Sequence, residues 1–183
     1  MLEVADIKQL PVPQARAGEP AAWDSLFRRY QLPLYVYVFE LVRNEQAALD
    51  LVQETFIASA RHLGSLREDH KFGSWLFGIA HQQCIQHWRK SGREKLFDDD
   101  FLAEPIDGEP GPIEILVRAE QAAAFRKKLA QLPPTQCAAL TLFFLEDFSL
   151  EEIADVTGAP LGTVKSRLHH AKRALKKLWE EQP

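Results

Sequence analysis

Six cations crowd one short stretch near the end of this chain. Between Thr163 and Trp179 stand Lys165, Arg167, Lys172, Arg173, Lys176 and Lys177, with no acid among them. The whole protein carries a formal charge of -4, so this basic segment is a local device. Its chemistry is charge neutralisation and hydrogen bonding to a polyanion rather than bond breaking. Val164, Leu168, Ala171, Leu175 and Leu178 recur at steps of three and four, which makes one apolar helical face. Thr163, Lys165, Ser166, Arg167, His169, His170, Lys172 and Arg173 are the candidate DNA contacts. Early residues of such a helix reach base edges in a major groove, and later cations meet phosphates.

Three other groups of residues invite a chemical reading. His81, Cys84 and His87 follow at steps of three, which spreads them over about 120° of a helix and converges poorly on one metal ion. No metal and no cofactor are expected. No paired nucleophile and base and no phosphate-cradling glycine loop has persuasive spacing, so the chain does not read as an enzyme. Lys71, His81, Gln82, Gln86, His87, Trp88, Arg89 and Lys90 combine rings, amides and cations, a set suited to holding unpaired bases. Trp75 has the spacing of a core residue, which leaves Trp88 and His87 as the aromatic contacts.

The elements that position these residues are helical. Ser149 with Glu152 forms a capping box at the start of a short helix. Gly158 suits the left-handed position that ends it, and Pro160 prevents continuation. A short helix, a glycine turn and a longer basic helix make a helix-turn-helix. Upstream, Trp23 to Tyr30 forms one helical stripe, and Leu34 to Val42 is apolar nearly all round. Asn44 can cap a third helix, and a fourth runs from about Gly73 to Lys90. Ile113 to Ala130 and Thr135 to Glu146 read as two more, separated by Pro133-Pro134. Between them, Leu96 to Leu116 holds seven acids, three prolines, two glycines and no Lys or Arg, which is linker composition.

The expected architecture is therefore all-α: two small helical domains joined by an acidic flexible linker. Residues 14–92 form the first, 93–112 the linker, and 113–183 the domain with the helix-turn-helix. No apolar run is long enough to span a membrane, and the N-terminus lacks a signal-peptide pattern. Two cysteines do not make a disulfide framework, so the cytoplasm is the expected compartment.

Three motifs resemble one family. Asp50-Leu51-Val52-Gln53-Glu54-Thr55-Phe56, Phe72-Gly73-Ser74-Trp75-Leu76-Phe77-Gly78-Ile79-Ala80, and Leu132-Pro133-Pro134 with the helix-turn-helix occur in order. Together they are similar to bacterial RNA polymerase sigma factors of the sigma-70 family, extracytoplasmic-function group. The resemblance implies core RNA polymerase and promoter DNA as partners. It places Asp50, Gln53, Glu54 and Phe56 on the polymerase. It places the loop Gly64 to Lys71 and the fourth helix on the melted minus-ten strand, and the helix-turn-helix on the minus-thirty-five element. It also implies control by an anti-sigma factor.

The chain departs from the family in two places. Relatives carry several acids ahead of the first motif, whereas Ala47-Ala48-Leu49-Asp50 supplies one. Phosphorylation of Thr55 or Ser59 by a Ser/Thr kinase would restore negative charge there. After Ala80, His81-Gln82 and Gln86 stand where many relatives have Arg-Asn and Asp, so a minus-ten preference cannot be carried over. A stand-alone helix-turn-helix regulator with an N-terminal sensing domain is the rival reading, and it leaves the first two motifs without a role.

Overall fold

The structure, a computed structural model, describes residues 10–92 and 127–180, without the side chains of 178–180. The acidic stretch 93–112 and most of the helix expected at 113–130 lie outside the described residues. Every regular element among the described residues is helical: α1 (Val12–Arg16), α2 (Pro20–Val42), α3 (Glu45–His62), α4 (Phe72–Lys90), α5 (Pro134–Leu145), α6 (Leu150–Thr157) and α7 (Leu161–Glu180). Two 3-10 turns, Leu63–Ser65 and Asp69–Lys71, lie in the connection from α3 to α4. No described helix is long and apolar enough to cross a membrane.

The two segments expected on either side of Pro33 form one helix of 23 residues. Pro33 lacks the N–H that an interior residue donates to the carbonyl four residues back, which costs about 3 kcal/mol. Leu26, Tyr30, Leu34, Tyr37, Val38 and Leu41 are all buried along one side of α2. Burying one such side chain is worth about 1.5–3 kcal/mol, so a continuous stripe outweighs the proline. The helix ends at Arg43, which takes a left-handed φ of 54° and donates its N–H to the Phe39 carbonyl. Asn44 then caps α3 by accepting from the Ala47 N–H at 2.8 Å.

Helices α2, α3 and α4 pack on one another, and α1 packs on α2. Gly73 allows the closest approach: a Cβ there would lie 3.0 Å from the Tyr30 hydroxyl. In the second lobe α5, α6 and α7 pack together. The Ser149 box is complete, with Glu152 N–H donating to Ser149 Oγ at 3.1 Å and Ser149 N–H donating to Glu152 Oε2 at 2.9 Å. Gly158 takes the left-handed φ of 66° that the turn demands.

The lobes share one core. Helix α5 lies against α2, and α6 lies against α4. Phe77 of α4 meets Phe148 edge to face at 5.5 Å between ring centres. Arg29 of α2 reaches Glu146 at 3.2 Å. A second polar bridge joins Glu40, Arg43 and Cys137: Arg43 pairs with Glu40 at 2.6 Å, and the Cys137 thiol lies 3.9 Å from the same carboxylate.

Candidate nucleic-acid and polymerase interfaces

The helix-turn-helix has the apolar face expected of it. Val164, Leu168, Ala171 and Leu175 are buried against the second lobe. Lys165, Arg167, His169, His170 and Lys172 are half-buried, and Arg173, Lys176 and Lys177 are exposed. Lys172 stretches across Phe143 and Phe144, its ammonium 5.2 and 5.6 Å from the ring centres, and loss of hydration lowers its pKa. Thr163 is half-buried and Ser166 is fully covered, its hydroxyl donating to the Thr163 carbonyl at 3.0 Å. Ser166 is therefore no base contact in this arrangement: its position falls between Val164 and Leu168, on the side the protein covers.

The minus-ten set divides. Gln82, Gln86, Arg89, Lys90 and Lys71 are exposed, and His87 is half-buried. His81 is only 3% exposed, and its Nδ1 pairs with the Tyr37 hydroxyl at 2.7 Å. Burial first, and the Arg167 charge second, lower its pKa from 6.5 to about 4. It is a neutral core histidine and not a DNA-facing one. Trp88 is likewise buried at 7%. Trp75 is half-buried and stands at a cavity, so the two tryptophans exchange the roles that spacing suggested. Position along α4 decides this: Leu76, Ala80, Cys84 and Trp88 follow one another at steps of four and are all buried, and Trp75 falls beside that stripe.

The cavity holds about 710 Å³. The loop residues Arg67, Glu68 and Lys71 form one side, and Trp75, Gln82 and Gln86 of α4 form another. Asp155 and Val156 of α6 close it from the second lobe. Glu68 holds Lys71 at 2.8 Å, and Glu152 and Asp155 add a further attraction that raises the Lys71 pKa. An acidic helix thus sits beside this cation. Arg167 is close enough to bear on Tyr37 and His81 electrostatically, so the start of α7 also faces the first lobe.

On α3, Asp50, Gln53 and Glu54 are exposed, with Gln46 donating to Asp50 at 3.0 Å. Phe56 is half-buried and packs on Phe27 at 4.8 Å. The sequence reading missed Leu49 and Ile57, which are 49% and 43% exposed on the same side as Gln53. The signal was available: Ala48, Leu51, Val52 and Thr55 already fill the core face, which forces 49, 53 and 57 outward. Thr55 and Ser59 are fully buried. Thr55 donates to the Leu51 carbonyl at 2.7 Å and lies 2.7 Å from the Gln83 amide, while Ser59 donates to the Phe56 carbonyl at 2.8 Å. Neither hydroxyl is presented to a kinase, because both belong to the α3 face that packs inward.

A family model described as Sigma-70 region 2 matches residues 26–94, and one described as Sigma-70, region 4 matches residues 122–175. The RNA polymerase sigma-H factor of Pseudomonas aeruginosa is 34% identical over 177 residues, covering 91% of this chain and 90% of that one. The chain belongs to the sigma-70 family, in its extracytoplasmic-function group. The ECF RNA polymerase sigma-E factor of Salmonella typhimurium is 30% identical and covered to 91% on both sides. Among solved structures, the sigma factor RpoE of Bartonella quintana, in complex with the anti-sigma factor NepR, aligns with a TM-score of 0.64 at 26% identity. That alignment covers 86% of this chain and 98% of RpoE. CnrH, in complex with the cytosolic domain of CnrY, shares the fold with a TM-score of 0.66 at 22% identity over 94% and 96% of the two chains. This sigma factor binds core RNA polymerase and directs promoter-specific transcription initiation. The region 2 match gives the first lobe the place that a stand-alone regulator would leave unexplained. The relatives are sigma factors and not enzymes.

Proposed function

We propose that the three surfaces divide the work of initiation. The exposed side of α3, with Leu49, Asp50, Gln53, Glu54 and Ile57, docks on core polymerase. The loop from Leu63 to Lys71 and the open side of α4 hold the melted minus-ten strand through Lys71, Trp75, Gln82, Gln86, His87, Arg89 and Lys90. The helix-turn-helix reads the minus-thirty-five element through Lys165, Arg167 and His169, with Lys172 and Arg173 on phosphates. Residues 14–92 and 113–183 act as the two domains, and 93–112 tethers them. The protein performs no covalent catalysis and works in the cytoplasm, where its polymerase is.

One observation carries this reading furthest. The cavity beside Trp75 places an aromatic wall, three glutamines (Gln82, Gln83 and Gln86) and the loop cations around a space large enough for an unpaired base. In the described packing α6 covers that space. Two promoter elements about 25 base pairs apart lie on the order of 80 Å from each other along B-DNA. Lobes in contact cannot reach both, so the described packing is a closed state and the lobes part on the promoter. CnrH is bound to the cytosolic domain of CnrY, and RpoE to the anti-sigma factor NepR, in two related structures. An anti-sigma factor is thus the class of inhibitor this chain would take.

The test is run-off transcription with purified core polymerase on a promoter library. Transcripts that depend on the added chain, and fall when Arg167→Ala or Gln82→Ala is used, support the division of labour. Transcripts unaffected by both substitutions would remove these residues from it.

A further inference from the structure

We propose that Arg16 is a positioning residue for promoter opening, a strut that presets the loop Leu63–Lys71 in the shape that receives an unpaired base. The inference rests on reading that loop as strand-facing. Arg16 stands ahead of the stretch, residues 26–94, that the region 2 family model matches.

Helix α1 is fixed before it reaches the loop. Val12 is fully buried and Ala15 is 3% exposed. The Trp23 indole N–H donates to the Ala15 carbonyl at 3.0 Å, tying α1 to α2. The next residue, Arg16, sends its guanidinium to the loop. Nη2 donates to the Leu66 carbonyl at 3.2 Å and to Asp69 Oδ1 at 2.6 Å. The two acceptors bracket Arg67 and Glu68, which line the cavity beside Trp75. Leu66 is itself buried, so the backbone is held from inside by its side chain and from outside by Arg16.

Glu68 completes the arrangement. It holds Lys71 at 2.8 Å and His70 at 3.5 Å, which sets the loop's charged tips relative to one another. A loop pinned in this way loses little further freedom when a base enters. Without the strut, ordering the loop would fall on the opening step itself. A lysine could take only part of the role, because its flexible stem holds the ammonium less rigidly than the planar guanidinium whose Nη2 serves both acceptors.

The holoenzyme on a linear promoter tests this, with opening followed through 2-aminopurine fluorescence in the minus-ten region. Arg16→Ala and Asp69→Ala should each slow opening about five- to tenfold, and the double variant should be no slower than the worse single one. Arg16→Lys should recover part of the rate. Core affinity, and transcription from a template already opened as a bubble, should stay within about twofold of the parent. Arg67→Ala and Lys71→Ala test the loop reading separately. If those two open at the parent rate, the loop is not strand-facing. If they are slow while Arg16→Ala opens at the parent rate, the strut is overturned. Equal losses on duplex and bubble templates would also overturn it, since they would mark a general structural defect.

Discussion

Arg29 and Glu146 are 117 residues apart in sequence, and their side chains meet at 3.2 Å across the two lobes. The Glu146 side chain is only 2% exposed, and its Oε1 is buried with no hydrogen-bond partner among the described residues. Arg29 is half exposed. Burial raises the Glu146 pKa, and the Arg29 charge offsets this only in part. The packing of the two lobes therefore tolerates a carboxylate that water would solvate better.

Arg29→Ala should loosen the closed state by about 1–2 kcal/mol, because it leaves the carboxylate covered and uncompensated. Glu146→Gln should tighten it, since the amide costs less to bury. Distance between dyes on the two lobes, read by energy transfer, checks both. A loosening caused by Glu146→Gln would contradict the balance described.

His81 makes the fold sensitive to acid. Its pKa is about 4 where it stands and 6.5 in the open. A depressed value means that its contribution is complete above 6.5 and is lost as the pH falls from 6.5 toward 4. The full loss is about 3 kcal/mol. The Tyr37 hydroxyl of α2 and the Arg167 guanidinium of α7 both bear on it. Glu146 acts in the opposite sense, because a raised carboxyl pKa favours the closed state in acid. The readout is thus the difference between the parent and His81→Leu in thermal stability from pH 7 to pH 4.5. The gap in stability should narrow as acid is added, and a gap independent of pH would contradict the assignment.

Much of the fold was legible because its signals are local. Asn44, the Ser149–Glu152 pair and Gly158 each act within three or four residues, and each does what its type predicts. His81, Trp88, Ser166, Thr55 and Ser59 were assigned to contact or modification and are buried. Trp88 continues the buried stripe Leu76, Ala80 and Cys84, and Ser59 follows Thr55 on the core face of α3. Periodicity along one helix already places these inward, whereas the cover over His81 includes Tyr37 of another helix, α2. Pro33 misled in the other direction: a strong local break yields to a buried stripe that continues on both sides of it.

Thr55 shows how this matters for regulation. A charge placed there would be buried between α3 and α4. Thr55→Glu should cost about 3 kcal/mol or more and lower the melting temperature, whereas Thr55→Val should cost about 1 kcal/mol. Tighter binding of core polymerase by Thr55→Glu at an unchanged melting temperature would restore the phosphorylation reading.

Leu49 and Ile57 are apolar and exposed beside Gln53. Leu49→Glu and Ile57→Glu should weaken core binding about tenfold, the order expected of anchor residues at an interface. Their melting temperatures should match the parent, because neither side chain belongs to the core. Parent-like affinity for core in both would move the docking surface elsewhere.

Division of promoter reading between two lobes is most directly tested by permanganate footprinting on a linear promoter with purified core polymerase. The expected result is unpaired thymines around the minus-ten element only when this chain and the core are both present. Loss of that reactivity should follow Arg167→Ala on a promoter that keeps its minus-thirty-five element. A chain that binds the DNA tightly without core, and leaves every thymine paired when core is added, would contradict the account.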